Sequence, residues 1–307
     1  MKSWFHEHRS RSSILLFSTV ALLITGLLVG AGVVGYKVKT ALDREIYGTP
    51  RGETPSKTPA SLGLPYEDVE FQTGDKKELK GWFIDSDGGQ CVILASGKGE
   101  NKWDMLKYAP FLYEGGYDVL LFDPRSAGES EGDKYAFGYF ESRDIIRAVE
   151  YLQERQGNYK VAVLGRSAGA TAALLAALDE PRINAVIADS PYADLKMASG
   201  SYGDYGHDPV FNTIFPIYCW GGEQMLGVDV CQEVNVGNQI EQLDQPVLFI
   251  HGLDDTTLVP ANSRLLHENT AEPKELWLLE DVEHVRAFED RPEKYEERVI
   301  SFLDTHL

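Results

Sequence analysis

From Val92 onward, short apolar runs rich in β-branched residues alternate with longer stretches whose apolar residues recur every three or four positions. The runs Val92–Ala95, Val119–Phe122, Val161–Leu164, Ala185–Ala188, Val247–Ile250 and Leu276–Leu279 predict strands. The periodic stretches predict helices at about Lys102–Glu114, Tyr139–Gln156, Ala168–Leu178, Ala261–Glu268 and Pro292–His306. Strands and helices in strict alternation imply a mostly parallel sheet covered by helices on both faces. Ahead of them, VEFQTGDKKELKGWFI places two strand-like runs around Thr73-Gly74-Asp75, which predicts an antiparallel hairpin at a sheet edge.

Two segments depart from this rhythm. No charged residue lies between Arg11 and Lys37, and Ile14 to Tyr36 is long enough to span a bilayer at about 20 residues per crossing. The expected organisation is a tail at 1–12, a single transmembrane anchor at 13–36, a Pro-rich linker at 37–65 and one globular domain at 66–307. A long signal peptide cut near Ala31 to Gly35 is the alternative. Gly26 and Gly30 are spaced as in a helix-pairing G-x-x-x-G face. Basic residues flank the apolar run almost evenly; the early basic segment followed by an apolar run favours a domain outside the membrane. The second departure is 191–245, which lacks a strand pattern and crowds Tyr192, Tyr202, Tyr205, Phe211, Phe215, Tyr218 and Trp220 together. Its aromatic content argues against disorder, so it reads as a lid inserted in the domain, or as a small helical subdomain filling a gap.

Charge and cysteine content narrow the function classes. With 48 acidic against 29 basic residues, the net charge of −19 argues against a nucleic-acid partner and favours a neutral or cationic ligand. Three cysteines without C-x-x-C spacing give neither a disulfide framework nor a zinc site. Cys91 opens an apolar run and reads as a core residue; a Cys219–Cys231 disulfide stays open for an extracytoplasmic domain.

The chemistry is carried by Gly165-Arg-Ser-Ala-Gly169, a G-x-S-x-G pattern between a predicted strand and a predicted helix. A serine on such a sharp turn projects its hydroxyl from the C-terminal edge of the sheet. Alone it is a weak nucleophile; it needs a base, and the base needs an orienting acid. Downstream, PVLFIHGLDDTTLVP and LWLLEDVEHVRAFED each end a strand with candidates, aspartates in the first and His284 in the second, in the chain order Ser, Asp, His. His251 ends a strand and reads as a loop brace, and His207 lies in the expected lid.

From about Leu62 the chain resembles an α/β hydrolase, nearest the S33-type serine aminopeptidase-like and BEM46-like serine hydrolases. The blocks FDPRSAGESEGD, GYFESRDIIRAVEYL, GRSAG, IADSPYADL, HGLDDTTLVP and EHVRAFED carry the resemblance over roughly 240 residues. It implies a Ser167–His284–Asp255 triad, with the acid four residues after His251; Asp254 and Asp189 remain rivals for that role. The implied oxyanion donors are the backbone amides of Ala168 and Lys98. The loop that usually opens with His-Gly here reads Ser96-Gly97-Lys98-Gly99. Asp123–Gly128 is expected to brace the site from below, and Arg166 to form a nearby salt bridge or to meet a substrate carboxylate. No metal and no organic cofactor is expected. The expected activity is a membrane-anchored serine hydrolase cleaving an ester, thioester or amide of a small-molecule or lipid-like acyl substrate. An acyltransferase or peptidase using the same residues, and a non-catalytic binding module on the same scaffold, are the alternatives.

Overall fold

The computed structural model describes residues 25–51, 57–200 and 209–307. Helix α1 occupies residues 25–46. The hairpin β1 (Glu67–Gln72) and β2 (Glu78–Ile84) is followed by β3 (Gln90–Ala95), α2 (Lys102–Met105), α3 (Ala109–Glu114), β4 (Asp118–Phe122) and α4 (Tyr139–Gln156). The second half runs β5 (Lys160–Arg166), α5 (Ala168–Asp179), β6 (Ile183–Asp189), α6 (Leu195–Gly200), α7 (Pro209–Leu226) and α8 (Val230–Glu233). It ends with β7 (Val247–Gly252), α9 (Ala261–Asn269), β8 (Lys274–Leu279), α10 (Ala287–Asp290) and α11 (Pro292–His306).

The eight strands form one sheet in the order β1-β2-β4-β3-β5-β6-β7-β8. Only the β1–β2 and β2–β4 pairings are antiparallel; every pairing from β4 through β3 to β8 is parallel. The chain therefore leaves β3 toward one edge, to β4, and returns to the other side of β3 with β5. This reversal opens a crevice at the C-terminal ends of β3 and β5, where open α/β sheets bind their ligands.

Alternation along each strand supplies both faces. Cys91, Ile93, Val161, Val163, Val186 and Phe249 face the α4–α5 side. Val92, Leu94, Ala162, Leu164, Ile187 and Leu248 face the α3–α11 side. Successive side chains point to opposite faces, so strands buried on both sides read as continuous apolar runs. Residues 168–177 of α5 are all buried, and their alanines and glycine allow this helix to lie close to the sheet. The predicted helix Lys102–Glu114 is broken into α2, a 3-10 turn at Leu106–Tyr108, and α3. Pro110 has no amide to bond the Leu106 carbonyl and sits in the first turn of α3, where that bond is not needed.

The N-terminal expectation requires correction. No helix among the described residues is long and apolar enough to cross a membrane, which overturns the single-pass anchor and the localisation built on it. The expected tail at 1–12 and residues 13–24 of the expected span lie outside the described residues. Residues 37–46, expected as linker, continue α1 and bring Lys37, Lys39, Asp43, Arg44 and Glu45 into it. Val38, Leu42 and Ile46 recur every fourth residue and join the α4–α5 side of the core, with Val34 packed beside them. This is the apolar stripe of a helix that packs on protein. A Cβ on Gly26 or Gly30 would meet no atom within 4 Å, so no helix packs on that pair among the described residues.

The aromatic segment is helical, and residues 201–208 lie outside the described residues. Its second half is anchored in the core through Val230, Val234, Val236, Ile240 and Leu243. Phe211, Phe215 and Tyr218 form a ring series along α7, and Tyr218 meets Phe137 at 6.4 Å. A disulfide between Cys219 and Cys231 joins α7 to α8, and Cys91 is buried and free. Leu42 is the link between α1 and this segment: a Cβ on Gly221 would come within 2.7 Å of its Cδ1. Truncating a side chain that is only 1% exposed should destabilise the fold: Leu42→Ala is expected to cost about 2–5 kcal/mol in urea unfolding. An unchanged midpoint would show that α1 is not part of the cooperative unit.

Candidate active site

Ser167 lies between the last residue of β5 and the first of α5, with φ 54° and ψ −123°. Few residues with a side chain adopt this conformation, and its persistence requires over-determined surroundings. Those surroundings are backbone. The Ser167 amide donates to the Asp189 carbonyl at 2.8 Å, and the Ser167 carbonyl accepts from Ala170 and Thr171 at 3.0 and 3.2 Å. A Cβ on Gly165 would lie 2.3 Å from the Gly169 carbonyl oxygen, and one on Gly169 would lie 2.3 Å from that of Ala95. Only glycine fits either position, so the two glycines let α5 turn directly off the sheet.

The loop after β8 returns His284 to this turn, and the loop after β7 brings Asp255. His284 Nε2 is 3.0 Å from Ser167 Oγ, and His284 Nδ1 is 2.6 Å from Asp255 Oδ2. Asp255 Oδ1 accepts from the Thr257 and Leu258 amides at 2.9 and 2.8 Å. His251 Nε2 lies 3.2 Å from Asp255 Oδ2 and 2.7 Å from the Leu258 carbonyl, while its Nδ1 is 2.7 Å from Ser263 Oγ. Burial alone would push the Asp255 carboxyl up. Hydrogen bonds from His251 and His284, the charge of His284 and the Leu258 amide overcome it and hold the group well below the usual carboxylate range. In the neutral imidazole, an Nδ1–H donated to an ionised Asp255 would leave Nε2 facing the Ser167 hydroxyl as an acceptor.

The rival acids are elsewhere. Asp254 is exposed, and its amide donates to the Val282 carbonyl at 3.0 Å. Asp189 is fully buried and accepts from Ser190 Oγ at 2.9 Å and Tyr295 OH at 3.2 Å; burial raises its pKa. His207 lies outside the described residues, and His306 packs on the Phe302 ring at the far end of α11.

Lys98 and Ala168 line one narrow cleft together with Ser96, Gly97 and Pro124. Ala168 opens α5, so its amide has no intrahelical partner. The Lys98 side chain turns away to pair with Glu45 of α1 and lies 5.5 Å from the centre of the Tyr135 ring. Arg166 pairs with Glu100, the nearby-salt-bridge arrangement. The Asp123–Gly128 turn is held by a buried ion pair, Lys102 Nζ to Asp123 Oδ2 at 2.7 Å. Among the described residues no group of three or more His, Cys, Asp or Glu side chains could hold a metal ion.

Two further carboxylates reach the cleft. Glu100 has no motif; only its contacts reveal it. Glu141 also lines the cleft and caps α4, accepting from the Ala136 and Gly138 amides at 3.1 and 2.7 Å.

With fold and geometry in hand, comparison with known proteins gives the class. Residues 88–216 match the family described as serine aminopeptidase, S33. YfhR of Escherichia coli O157:H7 is 30% identical over 253 residues, covering 77% of this chain and 80% of YfhR. YqkD of Bacillus subtilis is 29% identical over 233 residues, covering 74% and 75%. The esterase Pf2001 of Pyrococcus furiosus superposes with a TM-score of 0.69 at 28% identity, covering 84% of this chain and 99% of that one. The chain belongs to the α/β hydrolases, and over residues 88–216 it is similar to the S33 serine aminopeptidase group.

Burial raises the Glu141 carboxyl from its ordinary 4.5 to about 7, against the pull of the Ala136 and Gly138 amides. Between those values the folded chain holds a proton that the unfolded chain has lost, so stability falls as pH rises across the window. Glu141→Gln should remove part of that fall, on the order of 2 kcal/mol between pH 4.5 and 7. Urea titrations at several pH values measure it; parallel curves for the two proteins would contradict the assignment.

Proposed function

We propose that the chain hydrolyses small-molecule carboxylic esters through an acyl-enzyme on Ser167. His284 takes the hydroxyl proton as Ser167 Oγ attacks the ester carbonyl, and Asp255 holds the imidazole tautomer and offsets its developing charge. The Lys98 and Ala168 amides stabilise the oxyanion. His284 then protonates the departing alcohol, and water, deprotonated by the same imidazole, releases the acid. The observation that carries this reading is the line from Ser167 Oγ through His284 to an ionised Asp255, at 3.0 and 2.6 Å, on a strained turn. Similarity to the Pyrococcus furiosus esterase supports an ester over an amide. A binding module on the same scaffold would have no need of that strain or of the depressed Asp255 carboxyl.

Initial rates with p-nitrophenyl esters, against aminoacyl p-nitroanilides, test the reading. Ester turnover is expected to exceed anilide turnover. Asp255→Asn should lower kcat by about 10⁴-fold through the wrong imidazole tautomer, whereas Asp254→Asn should stay near wild type. Equal losses in the two aspartate variants, or no turnover above a Ser167→Ala background, would overturn it.

A further inference from the structure

We infer that the Arg166–Glu100 ion pair is a tether that sets the spacing of the two oxyanion donors. The inference rests on the esterase reading above and deepens it by adding two positioning residues. The Lys98 amide belongs to the loop after β3, and the Ala168 amide to the turn after β5. Both must reach the same oxygen, and preorganised donors work only if their spacing is held before the reaction begins. The β3–β5 ladder ends at the pair Ala95 and Gly165, so it no longer fixes the loop at Lys98.

Glu100 takes over at that point. Its Oε2 accepts from the Gly97 amide at 2.8 Å, next in the chain to Lys98, and from Arg166 Nε at 2.9 Å. Its Oε1 accepts from Arg166 Nη2. One carboxylate thus grips the loop backbone with one oxygen and, with both, the side chain of the residue preceding Ser167. The Glu100 amide also donates to the Gly97 carbonyl at 3.2 Å and closes the turn. There is no room for slack: a Cβ on Gly97 would lie 2.9 Å from Glu100 Oε2 and 3.4 Å from the Arg166 carbonyl oxygen. The Arg166 and Glu100 side chains are only 11% and 22% exposed, which shields the pair from solvent. A bidentate guanidinium fork fixes orientation as well as distance, which a lysine ammonium does not. With its Nε and Nη2 edge committed to Glu100, Arg166 is not placed to hold a substrate carboxylate by that edge. On the outer side of the loop, Lys98 pairs with Glu45, and Gly99 packs on Pro50.

Two variants test the tether: Glu100→Gln, which keeps an acceptor for the Gly97 amide, and Arg166→Lys, which keeps the charge. Each is measured with active-site-titrated enzyme on a p-nitrophenyl ester, with thermal melting as the control for folding; a fold defect in one leaves the other to be read. The expected result is a kcat lower by about 10–100-fold with KM within about twofold, since the lost contact acts only on the transition state. Affinity for a boronic acid that forms a tetrahedral adduct should fall by the same factor. The double variant should be little worse than either single, because both break one contact. Wild-type kcat in both variants, or a raised KM at unchanged kcat, would overturn the tether. Failure of the esterase reading shows separately, as absent ester turnover in the wild type.

Discussion

The structure depends on one local conflict: a serine with a side chain is held at φ 54° where the chain turns from β5 into α5. No single contact maintains it. The Gly165 and Gly169 positions admit no Cβ, so α5 sits against the ends of β3 and β5 without an intervening side chain. The alanine-rich face of α5 continues that close approach over ten buried residues. The conformational cost of one residue is therefore carried by the packing of a whole helix on the sheet. That packing also puts the start of α5 beside the loop after β3, at the place where the strand order reverses.

Charge is arranged around the same point with the opposite logic. Asp255 is buried but surrounded by donors: two backbone amides, His284 and His251. It stays ionised because hydrogen bonds to the charged form outweigh desolvation. Glu141 is also buried, but the donors to it are backbone amides rather than side chains; desolvation, with Asp144 nearby, moves its carboxyl up toward neutrality. Two buried carboxylates are thus set apart in proton affinity by what donates to them. The stability contributed by the depressed group is present above the ordinary carboxylate pKa and is lost only as pH falls through its lowered value.

Much of the sheet was legible because the parallel strands are buried on both faces and appear as uninterrupted apolar runs bounded by turns. Ser167 and His284 were legible for a related reason: each follows such a run, and the edge of a parallel sheet collects whatever ends its strands. The choice between Asp254 and Asp255 was less so. The two are adjacent in the chain, and only the loop decides that one side chain is buried and the other exposed. Glu100 was not legible, since its role depends on Arg166 meeting it from 66 residues away. The N-terminal expectation failed for a different reason. A boundary drawn at the first charge, Lys37, cut through an apolar stripe that runs from Val34 to Ile46 at helical spacing. Absence of charge alone suggests a lipid-facing surface, while Val38, Leu42 and Ile46, which seat α1 in the core, lie beyond the uncharged run.

The proposed ester hydrolysis requires Ser167 Oγ to be an activated nucleophile. The most direct test treats the purified protein with a fluorophosphonate, which forms a stable phosphonyl adduct only with an activated hydroxyl, and locates the adduct by peptide mass spectrometry. One adduct is expected, on the peptide containing Ser167, abolished in Ser167→Ala and strongly slowed in His284→Ala. No adduct on the folded wild-type protein, or an adduct that persists in Ser167→Ala, would contradict it.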